Sequence, residues 1–74
     1  MNKERRKKLS TVYDALTECM NTVEAVKDEE RESLDNLPDS FRNSERGEDM
    51  ENYIELLNES YNLIDDAHSV VEQI

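Results

Sequence analysis

One proline, Pro38, and one glycine, Gly47, are all that a chain of 74 residues contains of the two strongest breakers of regular structure. A small β domain needs turn signals about every 8–12 residues, so this chain is not one. It can reverse direction once, in the segment from Asp35 to Met50 that holds both residues. Leu, Ile, Val and Phe together number 16 of the 74, about 22%, just above the level (~20%) at which highly charged chains stay disordered. An enzyme-sized core is out of reach. The expectation is a lean all-α protein, a single domain over residues 1–74, that covers its apolar surface with the help of a partner.

The apolar periodicity agrees. Leu9, Val12, Leu16, Cys19, Met20, Val23 and Val26 follow a 3–4 spacing, which predicts a helix with one apolar stripe from about Lys3 to Asp35. The stripe thins across the charged run 27–32, where Glu30 takes an apolar position and reads as solvated, and resumes at Leu34 and Leu37. Pro38 disfavours the helical conformation in the residue before it. Asn36 reads as the N-cap of a short helical turn over Leu37–Arg42, and Ser44 as a second N-cap. A second helix is predicted from about Glu45 to residue 74. Met50, Ile54, Leu57, Tyr61, Ile64, His68 and Val71 form one row on it, and Tyr53, Leu56, Leu63, Ala67, Val70 and Ile74 a second row beside the first. Together they span roughly 200° of the cylinder, well beyond the ~100° of an ordinary surface helix. One facing helix does not cover that width, so this helix is expected to touch two or more.

The architecture that meets these demands is an antiparallel helical hairpin with a short helical turn, pairing into a four-helix bundle or larger oligomer. Met50, Ile54, Leu57, Tyr61, Ile64 and Val71 are the expected oligomer interface. A lone hairpin of this size is marginal, because chains below ~70–80 residues seldom gain more than ~3–5 kcal/mol from one core.

The net charge of −10 is uneven. Residues 1–8 carry five bases and one acid; residues 9–74 carry four bases and 18 acids, with no base after Arg46. An acidic surface repels nucleic-acid backbones and anionic lipid heads, so neither nucleic acid nor a membrane is an expected partner, whereas a basic protein is. Lys7 and Lys8 are expected to meet Glu72 and the last carbonyls of the second helix. A single cysteine and the absence of an apolar run of ~18 residues point to a reducing, cytoplasmic location.

Catalytic chemistry is hard to find in the residues. One His and one Cys do not make a metal site. His68 and Cys19 are expected within about a helical turn of each other, but without an orienting third group or an oxyanion site they read as interface residues. No enzyme activity and no cofactor are expected. The unusual segment is the turn. Arg42 and Arg46 flank Asn43 and Ser44 at a helix start, where free amides, the helix dipole and guanidinium groups favour an anion, and Tyr53 or Tyr61 could stack on a base.

Several stretches also resemble one protein family: Glu4-Arg5-Arg6-Lys7-Lys8-Leu9, Asp28-Glu29-Glu30, Asp35-Asn36-Leu37-Pro38-Asp39-Ser40, and Ser44-Glu45-Arg46-Gly47-Glu48 followed by Met50. They are similar to the short helical-hairpin proteins encoded by phages and prophages of Gram-positive bacteria. The resemblance implies a phage-associated origin, in the cytoplasm of an infected or lysogenic host, and a helical hairpin; it assigns no activity, but small phage proteins of this size are often counter-defence factors. The expected function is an oligomeric sponge that sequesters a nucleotide immune signal through Arg42, Asn43, Ser44, Arg46, Tyr53 and Tyr61. One alternative is an acidic inhibitor or nucleic-acid mimic that docks on a host defence enzyme through Glu51, Glu55, Glu59, Asp65, Asp66 and Glu72. A structural or regulatory bundle is the other.

Overall fold

The computed structural model describes residues 1–74 and contains three helices and no strand: α1 over Lys3–Asp35, α2 over Asp39–Arg42 and α3 over Glu45–Glu72. The two long helices pack against each other along a body 59 Å long and 14 by 12 Å across. They run in opposite directions. Arg6 reaches the main-chain oxygen of Ile74 at 2.7 Å, Thr17 meets His68, Lys27 lies over the Tyr61 ring, and Leu34 lines a groove with Ile54.

Helix α1 starts at Asn2, whose side-chain oxygen accepts the Arg5 amide at 2.8 Å, the usual device for satisfying a free donor of the first turn. It continues through the charged run without a break, because Lys, Glu and Arg are good helix formers and Glu24 pairs with Lys27 one turn on (3.2 Å). It ends where Pro38 forbids another turn. Asn36 does not cap α2 as the sequence suggests. It closes α1 instead, its amide donating to the Glu32 carbonyl while the Leu37 amide donates to that of Leu34, and Pro38 takes the N-cap position of α2. Proline without an amide loses nothing there.

The seam between α1 and α3 has strict 4–3 spacing. Leu9, Tyr13, Leu16, Met20, Val23, Lys27, Glu30, Leu34 and Leu37 turn inward from one side, and Met50, Ile54, Leu57, Tyr61, Ile64, His68 and Val71 from the other; all are buried or half-buried. This corrects the first-helix stripe. Val12, Cys19 and Val26 are exposed, and Tyr13, Lys27 and Glu30 hold inward positions. The apolar residues of α1 lie on two adjacent rows, and a stripe drawn through apolar positions alone mixes the two. Only three residues fall in the buried class, and all three are at the turn end: Leu34 (6% exposed), Gly47 and Ile54 (5%). The tightest packing therefore sits beneath the turn.

Gly47 explains why. A Cβ built on it would stand 2.7 Å from the Arg42 carbonyl carbon, closer still to its oxygen, and 2.9 Å from the Phe41 oxygen. The end of α2 lies on the first turn of α3, and only a residue without a side chain permits that approach. Alanine inside a helix usually stabilises relative to glycine by about 1 kcal/mol. Here Gly47→Ala should destabilise by about 1–3 kcal/mol, the usual cost of overpacking against atoms that cannot move aside. Urea unfolding followed by circular dichroism checks the sign.

Candidate functional site: an open apolar face

The residue immediately before each inward position lies about 100° around the helix axis. On α3 these residues are Tyr53, Leu56, Ser60, Leu63, Ala67 and Val70 following Asp49, and on α1 they are Val12, Ala15, Cys19, Thr22 and Val26 between Lys8 and Glu29. Both rows keep the 3–4 alternation. Reversing a helix reverses the sense of rotation seen from one end, so the two rows turn to the same side of the pair. There they form one continuous face, on which Tyr53, Leu56, Leu63 and Val70 are 56–62% exposed and Val12 and Val26 are 43% exposed. The residues immediately after the inward positions form the opposite face. They are polar throughout, including Asp14, Asn21, Asp28, Glu51, Glu55, Asn62, Asp65 and Glu72.

The expected oligomer interface is thereby displaced. Met50, Ile54, Leu57, Tyr61, Ile64 and Val71 are spent on the seam within the chain, and the row one position earlier is the one left uncovered. The sequence shows both rows on α3, but only the placement of α1 decides which of them it covers.

Two polar side chains meet at the seam near its open end. The Thr17 hydroxyl donates to the Tyr13 carbonyl (3.1 Å) and lies 2.8 Å from Nε2 of His68. The imidazole also stacks on Tyr13, with ring centroids 4.0 Å apart. His68 is thus part of the seam, while Cys19 faces out on the open face, and the two do not share a side of the helix pair.

At the turn, the Arg42 guanidinium donates to the Asp35 carbonyl at 2.7 Å, closing an orphan acceptor at the end of α1. Ser44 occupies the N-cap position of α3 but its hydroxyl donates back to the Phe41 carbonyl, so it makes no side-chain cap. Asn43 and Arg46 are exposed and make no side-chain hydrogen bond or ion pair within the chain. Tyr53 belongs to the open face, and Tyr61 lies in the seam with the Lys27 ammonium 5.9 Å from its ring centroid. The six residues expected to bind a ligand are therefore divided among three settings. At the other end, the expected contact of Lys7 and Lys8 with Glu72 is absent. Arg6 approaches the end of the chain instead and, with Leu9, Tyr13, Val71, Glu72 and Ile74, lines an open groove of about 330 Å³.

No group of three or more His, Cys, Asp or Glu residues is placed to hold a metal ion, and no helix is long and apolar enough to cross a membrane. Comparison with protein-family models, with curated proteins and with solved structures finds no match to this chain.

Cys19 provides a direct probe of the open face. A water-soluble maleimide should label it in dilute protein at the rate of an unhindered thiol. At high protein concentration labelling should slow by about tenfold or more if copies cover the face, on the principle that chemistry on a covered group follows the open population.

Proposed function

We propose that this chain is a non-enzymatic, self-associating helical protein that works as an assembled bundle: two helical hairpins meet through their open apolar faces to make four helices. The observation that supports this reading is the row of Tyr53, Leu56, Leu63 and Val70, each more than half exposed, beside Val12 and Val26 on the same side of the molecule. The apolar stretch of that face runs from Tyr53 to Val70, about 25 Å at ~1.5 Å per residue. The 3–4 spacing is the one that lets side chains of one helix enter gaps of another. Burial of each large apolar side chain contributes ~1–2 kcal/mol, and the chain's own seam holds just two buried apolar side chains.

Light scattering at tens of micromolar should give twice the 8.7 kDa chain mass. Leu63→Glu should reduce this to the monomer mass and lower the helix content, whereas an exchange on the polar face, Asn62→Glu, should leave assembly unchanged. A monomeric, fully helical wild-type chain at that concentration would sink the reading.

A second reading concerns what such an assembly does. Exposed Asn43 and Arg46, without partners in the chain, and the exposed ring of Tyr53 favour capture of a small anionic ligand. In a phage-encoded counter-defence protein in the cytoplasm of its host, that ligand is a nucleotide immune signal held without cleavage. A tight ligand at a thousandfold excess over its dissociation constant stabilises by about 4 kcal/mol. Arg46→Ala should remove that thermal shift. Absence of any shift across a panel of cyclic and linear nucleotides, together with salt-sensitive capture of a basic host enzyme, would favour the acidic docking inhibitor instead.

A further inference from the structure

We infer that the second copy binds head to tail, with the basic first turns of one protomer against the acidic turn end of the other. This rests on the self-association proposed above and adds its direction. The apolar row of α1 does not choose a direction: Val12 and Val26 stand seven residues on either side of Cys19, the midpoint of the helix, so that row meets a partner run either way. Charge makes the choice. Residues 27–55, which form the turn end, carry eleven acids and four bases, a net −7, while the opposite end, residues 3–8 with Glu72 of α3 beside them, carries five bases and two acids, a net +3. Neither end is neutralised within the chain. The one ion pair is Glu24–Lys27, and Lys3, Arg5, Lys7 and Lys8 are exposed without a carboxylate partner.

Parallel pairing would set two −7 ends side by side. Head-to-tail pairing separates them by most of the 59 Å length, many times the screening length of ~8 Å at physiological ionic strength. It also brings each basic arm to an acidic end. Like charges in juxtaposition select against the wrong arrangement more strongly than surface ion pairs favour the right one, so repulsion between the turn ends is the main term.

The test is a distance between protomers. Ser40 is exposed in α2, and Ser40→Cys in a Cys19→Ser background gives the full chain one spin label at the turn end. Pulsed dipolar spectroscopy on a sample of dimeric mass should give about 50 Å between labels, from ~1.5 Å per residue on either side of the axis. A dimer with labels closer than about 25 Å overturns the orientation and leaves self-association standing. No dipolar coupling with a monomer mass overturns both. A second arm is independent of labelling: Lys7→Glu with Lys8→Glu should weaken dimerisation by about tenfold or more at low salt and far less in 1 M salt, where screening is nearly complete. Unchanged or tighter dimerisation at low salt overturns the inference.

Discussion

A single seam joins α1 to α3, and the direction and rotation of both helices follow from it. It is a 4–3 row on each side, apolar except for Lys27 and Glu30 on α1 and His68 on α3. Those exceptions have compensations of different quality. His68 gains a stacked ring and a hydroxyl partner. Lys27 keeps its stem on the seam, its charge near Glu24 and its ammonium near the face of Tyr61, as amphipathic side chains do. Glu30 has no ion pair. Polar residues in such rows reduce stability but fix which residues face each other, which matters in a seam that otherwise offers interchangeable Leu, Val and Ile.

Once the seam is set, the rest of the surface is determined by rotation. The rows that precede the inward positions are mainly apolar over Val12–Val26 and Tyr53–Val70, and the rows that follow them are polar, on both helices. Because the helices are opposed, like rows fall on like sides, and the molecule has one greasy face and one charged face. Had the helices been parallel, each side would have carried one apolar and one polar row, and no continuous face would exist. The unusual width of the apolar arc on α3 thus has a physical use only in combination with the direction of α1.

The turn contributes differently. Its three buried residues, Leu34, Gly47 and Ile54, form the one place where the chain has an interior in the ordinary sense. Pro38 ends α1, and Gly47 lets α2 lie directly on α3. Arg42 and Ser44 close carbonyls of Asp35 and Phe41, so two of the four polar residues grouped there by the sequence serve the bend itself. The other two, Asn43 and Arg46, keep their polar groups available.

Much of this was legible beforehand. Three helical segments, the position of the bend and the excess apolar width of α3 follow from local rules: periodicity near 3.6, the geometry of proline, and the scarcity of glycine. These are properties of a residue and its near neighbours, so the chain specifies them without knowing its own fold. What the amino-acid order left open was every choice between near-equivalent partners. Asn36 could begin α2 or finish α1, Tyr13 or Val12 could face inward, and either apolar row of α3 could meet α1. Each pair of alternatives differs by about 100° of rotation or one step in register, with comparable apolar surface buried in either case, so local preference does not separate them. Packing does, because the two helices must make the Tyr13–His68 and Lys27–Tyr61 contacts at once and bring Leu34 and Ile54 to one groove.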